Sequence, residues 1–275
     1  MTQDQGDLSL QALLEHAELA LRSGDPEAAI TSCQQALELE SRSDEALFLM
    51  GEAFRDLGVA DSALDSYRRC VLVDPKRADA WAALGTMHLF MLQLEEASRA
   101  LNRALREDAQ IPEAWYARGL LRERREDWEG SDRDLARAAR LDPATYPFPV
   151  PLSDEHLEDA IEDVVGSLHP TLQEYLANVA ILVEETPSDE ILRQYDPPLS
   201  PGELLGYFSG HSLLERSEHD PWSHLPAAIL LFRRPLQRYA QTREQLVDEL
   251  RTTIYHEIGH FLGLEEEDLE ARGLE

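Results

Sequence analysis

Between residues 10 and 145 the apolar positions recur on two scales. Over short stretches leucines and alanines fall three and four residues apart, which places them on one face of an α-helix. Over longer distances the whole pattern returns every 34 residues, in units 10–43, 44–77, 78–111 and 112–145. A period of that size, with two helical stretches per unit, predicts a stack of helical hairpins. Trp81 and Trp115 hold a large position of the first helix. Gly51, Gly85 and Gly119 hold a small one, where the two helices of a hairpin cross closely, and Ala29, Ala63 and Ala97 hold the small position of the second helix. The first unit departs from the pattern with Ala17 in place of the glycine, as capping units of a stack commonly do. Pro75 and Pro143 close their units because proline cannot continue a helix.

The period ends at a run of four prolines, Pro143, Pro147, Pro149 and Pro151. Such a run forbids a helix and favours a stiff, extended chain. The expected organisation is a tail at 1–9, the repeats at 10–145, a Pro-rich linker at 146–152 and a second domain at 153–275. In that second domain Ser153 caps a helix over 154–167, with Leu157, Ile161, Val164 and Val165 as its apolar face. A short helix follows at about 171–177. Val179 to Val183 read as a buried strand, 186–203 as a polar surface loop, Leu204 to Phe208 as a short strand and Ala228 to Phe232 as the clearest strand. The last helix starts at Thr242, where Gln245 three residues on completes a capping box. Leu246, Leu250, Ile254 and Ile258 then recur every four residues as one apolar stripe, and Gly263 supplies the left-handed residue that ends helices. This order suits a small α+β domain.

That helix carries the candidate chemistry. His256 and His260 are four apart, so both imidazoles lie on one face and can reach one ion. Zinc takes nitrogen ligands, and a catalytic zinc site uses three protein ligands and leaves a fourth position open. Glu257 sits beside His256, where a carboxylate can accept a proton from water as a general base. The chain turns after Gly263 and brings Glu265, Glu266, Glu267 and Asp268 close by, any of which can complete the ligand set.

Two family resemblances add to this reading. The 34-residue units match the pattern of tetratricopeptide repeats. The segments Ala227 to Leu236, Glu244 to Arg251 and Thr253 to His260, with Gly206 to Gly210 and Leu213 to Ser217 upstream, resemble the small bacterial zincin-like metallopeptidases. The fold class expected is therefore an all-α repeat solenoid followed by a small α+β, minimal zincin-like domain. The second resemblance implies one zinc ion, held by His256 and His260 with Glu266 as third ligand, and Glu257 as the catalytic base of peptide hydrolysis. Glu266 stands where the family usually carries Asp. The alternative from a different class is a non-catalytic repeat scaffold with a metal-binding or vestigial zincin-like domain.

The repeat resemblance implies a peptide groove lined by first helices. Its positions are Leu14 and Glu18, then Glu45, Phe48, Glu52 and Arg55, then Asp79 and Ala82, and then Glu113, Tyr116 and Glu123. The residues are acidic with some aromatic content, and the Lys and Asn of a carboxylate clamp are absent, so a basic or apolar protein segment is the expected occupant.

Charge narrows the partners further. The net charge of −29 argues against nucleic acid and against anionic membranes. No basic start with an apolar core opens the chain and no run reaches membrane-spanning length, so the expected location is the cytoplasm. Cys33 and Cys70 fall on packing positions and are expected to be small core residues. Arg118, Arg122, Arg124, Arg125, Arg133 and Arg137 are interleaved with acids and read as an ordinary exposed helix face. His169, His211, His219 and His224 lie outside the motif and read as surface residues. Arg233 and Arg234 are expected to end a strand in surface ion pairs, with oxyanion or carboxylate binding as the other possibility.

Overall fold

Small residues set the architecture of the repeats. A Cβ on Gly51 would lie 2.5 Å from the Tyr67 ring, one on Gly85 2.7 Å from Leu101, and one on Gly119 2.9 Å from Leu135. At each of these crossings glycine lets two helices of one hairpin meet without a gap. The first unit manages with Ala17, which is fully buried. The computed structural model describes residues 9–177, 179–195, 198–210, 227–240 and 242–264. They divide into two compact units, Met1–Asp142 and Pro143–Glu275.

The first unit consists of four hairpins: α1 (Leu10–Arg22) with α2 (Pro26–Leu39), α3 (Asp44–Asp56) with α4 (Ala60–Val73), α5 (Ala78–Phe90) with α6 (Leu94–Glu107), and α7 (Pro112–Glu123) with α8 (Trp128–Leu141). Each turns through one residue with positive φ: Gly24, Gly58, Leu92 and Glu126. The indoles of Trp81 and Trp115 each donate to a carbonyl six residues back, on Pro75 at 3.0 Å and Ala109 at 2.9 Å, and so tie each unit to the turn before it. Cys33 and Cys70 are buried free thiols, and burial pushes both up to about 12. Two arginines of the face expected to be exposed are half-buried in ion pairs. Arg118 and Arg122 both reach the buried Asp134, Arg118 through two bonds of 2.7 and 2.9 Å and Arg122 at 3.1 Å, and Arg125 reaches Glu95 at 2.7 Å.

The second unit packs helices on a three-stranded sheet. Its elements are α9 (Asp154–Ser167), α10 (Pro170–Leu176), β1 (Val179–Glu184), α11 (Asp189–Leu192), β2 (Gly206–Ser209), β3 (Ala227–Phe232), α12 (Arg233–Tyr239) and α13 (Arg243–Leu262). The strand order is β1-β3-β2. β1 runs parallel to β3 with Ile181 opposite Ile229, and β2 runs antiparallel with Tyr207 opposite Leu230. Ile229 and Leu231 of the central strand share one core with Leu157 and Val164 of α9 and with the α13 stripe Leu246, Leu250, Ile254 and Ile258. Val150 and Leu152 of the Pro-rich segment pack against that core, and the Val150 N–H donates to the Gln237 carbonyl at 2.9 Å.

Three local expectations change. β1 is an edge strand and not a buried one, with Leu182 48% exposed. An apolar run looks the same in either place. The expected loop at 186–203 contains α11, capped by the Ser188 hydroxyl, and buries Ile191 and Leu192. Arg233 and Arg234, expected to end a strand, follow β3 directly as the first residues of α12.

Candidate functional site

Helix α13 is held at both ends by its own sequence. The Thr242 hydroxyl accepts from the Gln245 N–H at 3.2 Å, and the Gln245 side chain accepts from the Thr242 N–H at 3.2 Å. At the other end Gly263 adopts φ 86°, in the left-handed region. Leu246, Leu250, Ile254 and Ile258 are all at most 3% exposed, so the stripe fixes the rotation of the helix about its axis. That rotation turns His256 and His260 towards β2.

The two imidazoles meet edge to face, with ring centroids 4.7 Å apart and Nε2 atoms 3.0 Å apart. At this separation one ring N–H can donate to the other ring, or both lone pairs can turn to one cation. Nitrogens bound tetrahedrally to one zinc at about 2.05 Å would lie roughly 3.3 Å apart, so only a few tenths of an ångström separate the pair from ligand spacing. His260 Nδ1 lies 3.3 Å from the Leu264 carbonyl. A proton donated there leaves Nε2 as the free electron pair, the usual way a second partner orients a ligating histidine. The two histidines therefore fit zinc. Among the described residues no third group joins them. Glu266, and with it Glu265, Glu267 and Asp268, lies outside the described residues.

Glu257 is 5% exposed and faces β2. A Cβ on Gly206 would lie 3.1 Å from its Oε1, so the glycine gives the carboxylate its room. Tyr195, Leu199, Leu204, Gly206, Tyr207 and Phe208 join His256, Glu257 and His260 around a pocket of about 510 Å³. The Tyr207 hydroxyl donates to Gln194 at 2.7 Å, and Phe208 packs on Phe261 with centroids 5.7 Å apart. Sequence reasoning did not find Tyr195 and Leu199. The signal was present, as four large apolar residues, Ile191, Leu192, Tyr195 and Leu199, inside a stretch otherwise rich in Pro, Ser and Asp.

The remaining candidates fall elsewhere. His169 caps α10, its ring nitrogen accepting from the Thr171 N–H at 3.3 Å. His211, His219 and His224 lie outside the described residues. Arg233 pairs with Asp154 and Glu185, and Arg234 pairs with Glu185 at 3.4 Å, in the ion pairs expected of them.

In the repeats, several of the acidic first-helix positions already have partners within the chain. Glu45 and Asp79 bind Arg77 at 2.7 and 3.0 Å, and Arg77 also lies over the Phe48 ring. Glu52 takes bonds from Arg55 at 2.5 Å and from the Tyr67 hydroxyl at 2.6 Å, and Glu123 accepts from Ser131 at 3.2 Å. Burial raises the Glu113 carboxyl above its ordinary range.

Comparison with known proteins agrees with both units. Residues 176–274 match the model of the family described as zincin-like metallopeptidase, and residues 14–80 match that of the tetratricopeptide repeat. The chain thus carries a tetratricopeptide repeat region and a zincin-like domain. No curated protein matches it. Solved structures similar to the chain include the crystal structure of MamA, 21% identical over 51% of this chain and 82% of that one, with a TM-score of 0.45. Another is YrrB, described as a TPR protein with an unusual peptide-binding site, 20% identical over 51% and 72%, with a TM-score of 0.44. A third is a thermophilic TPR protein of Thermus thermophilus, 20% identical over 62% and 87%, with a TM-score of 0.45. Among the described residues no helix is long and apolar enough to cross a membrane.

Proposed function

We propose that the second unit is a zinc-dependent peptidase and that the repeats bring it a protein substrate or partner. The observation that carries this reading is the pairing of two Nε2 atoms 3.0 Å apart with a buried carboxylate on the same pocket wall. His256 and His260 hold the ion through Nε2, and Glu266 is the third ligand. Zinc bound there supplies acidification of water and polarisation of a substrate carbonyl. Glu257 takes the proton from the water and returns it to the departing amine. Glu257 is buried, and Gly206, having no side chain, leaves its carboxylate room beside β2.

The sheet supports an extended substrate. Among the described residues β2 stands at the edge of the sheet beside the histidines, and an edge strand can pair with an added chain through backbone hydrogen bonds. Tyr207 and Phe208 alternate across that strand. The repeats supply a surface for a protein segment, with a basic or apolar one as the occupant. A cytoplasmic location accords with this pairing of recruitment and hydrolysis.

The test is elemental analysis of dialysed protein, with His256→Ala beside the wild type, followed by a peptide-cleavage screen with Glu257→Gln as control. About one zinc per wild-type chain, lost in His256→Ala, with cleavage that Glu257→Gln abolishes, supports the proposal. Cleavage that persists in Glu257→Gln refutes the assigned base. Absence of zinc after zinc is supplied leaves the repeat scaffold as the working function.

A further inference from the structure

The acids expected to recognise a basic partner are largely engaged on the first helices, but a second groove keeps its charges open. It lies where α2 and α4, the second helices of the first two hairpins, run side by side over α3, and it encloses about 580 Å³. The floor is apolar: Leu37, Met50 and Phe54, each buried or half-buried. The rim is exposed and carries three carboxylates against one cation: Glu38 on one side, and Asp61, Asp65 and Arg69 on the other. Asp65 reaches Arg69 at 3.7 Å, whereas Glu38 and Asp61 make no ion pair among the described residues.

The charge is particular to this groove and does not come from the repeat pattern. One repeat later, Glu38 is replaced by Leu72 and Asp65 by Arg99, while Gln34 is replaced by Arg68. The counterpart of Asp61 is Glu95, which is spent on Arg125. Of these two junctions, the first alone combines an apolar floor with carboxylates that make no ion pair among the described residues.

We propose that this groove docks a segment of a partner protein that presents an apolar side chain flanked by arginine or lysine. The apolar side chain covers Leu37, Met50 and Phe54, and the cations meet Glu38 and Asp61. A second copy of this chain is disfavoured, since each carries a net charge of −29. The proposal is independent of the peptidase reading, because none of its residues touches the histidine pocket.

The test uses the full-length chain and three labelled probes followed by fluorescence anisotropy. The first is a soluble Gly-Ser peptide carrying one leucine between two arginines. The second replaces the leucine by glycine at equal charge and measures general attraction to an acidic protein. The third replaces the arginines by glutamates. The first probe is expected to bind most tightly and to lose about tenfold in affinity when the exposed rim is reversed in Glu38→Lys/Asp61→Lys. A Phe54→Ser variant is expected to remove the preference for leucine over glycine. Equal binding of the first two probes, unchanged affinity in the rim variant, or a concentration-dependent dimer in sedimentation that the rim variant abolishes would each overturn the proposal.

Discussion

Replacing Gly206 by alanine tests how the candidate site is assembled. The added Cβ would lie 2.5 Å from Thr253 Cγ2, and 3.1 and 3.2 Å from Oε1 and Cγ of Glu257. An ordinary contact begins near 3.4 Å, so β2 and α13 must part by about 1 Å or one side chain must turn. Thr253 is buried and β-branched in a helix, where few χ1 settings are available. β2 is also tied to β3 through the pairing of Gly206 with Leu231 and the 2.9 Å bond from the Phe232 N–H to the Leu205 carbonyl. Neither side yields freely, and overpacking of this kind costs about 1–3 kcal/mol. Hydrogen exchange of the α13 amides reads the second unit separately from the repeats, and protection there should fall by roughly 5- to 160-fold. Thr253→Ser removes Cγ2, the atom of the shortest contact. The penalty of Gly206→Ala should therefore shrink by at least about 0.5 kcal/mol in that background. An equal loss in both backgrounds, or no loss in either, would refute the packing argument. If the wild type cleaves peptide, Gly206→Ala should lower the rate while zinc content holds, because the added Cβ presses on Thr253 and Glu257 while the two histidines keep their spacing on one helix.

Other expectations concern the repeats. Asp134→Ala should cost about 3–5 kcal/mol in urea unfolding, since it leaves Arg118 and Arg122 without the buried carboxylate they share; a loss below about 1 kcal/mol would contradict that role. Glu126→Gly should raise stability by about 0.5–1 kcal/mol, because the left-handed turn at φ 57° suits glycine, which the first two repeats use there; an unchanged melting temperature would refute it. The Cys33 and Cys70 thiols, raised by burial from 9.0 to about 12, favour the folded state below pH 9. Above that pH the unfolded chain releases protons that the folded one keeps, so stability should fall between about pH 9 and 12 by up to about 1.4 kcal/mol per pH unit for each thiol. The Cys33→Ala/Cys70→Ala variant should show a shallower slope in a pH series of urea titrations.

The sequence by itself determined the parts of this protein that depend on neighbours along the chain. The 34-residue period, the glycines at the hairpin crossings, the capping box of α13, its apolar stripe and the turn at Gly263 all follow from spacing within one helix or one repeat. It also put two histidines on one helix face with a glutamate one residue round from the first, because a helix converts a spacing of four into adjacency. Tertiary structure decided what depends on segments far apart in the chain. It placed Gly206 against Glu257 and so formed one wall of the pocket, made β1 an edge, and drew Tyr195 and Leu199 from an apparent loop to the histidines. It also engaged several acids of the repeats with Arg55, Arg77 and Ser131 and left others, Glu38 and Asp61 among them, without an ion pair among the described residues. The reason is physical: a helical period records which face a residue occupies, while the partner that meets that face comes from a part of the chain whose distance no local pattern encodes.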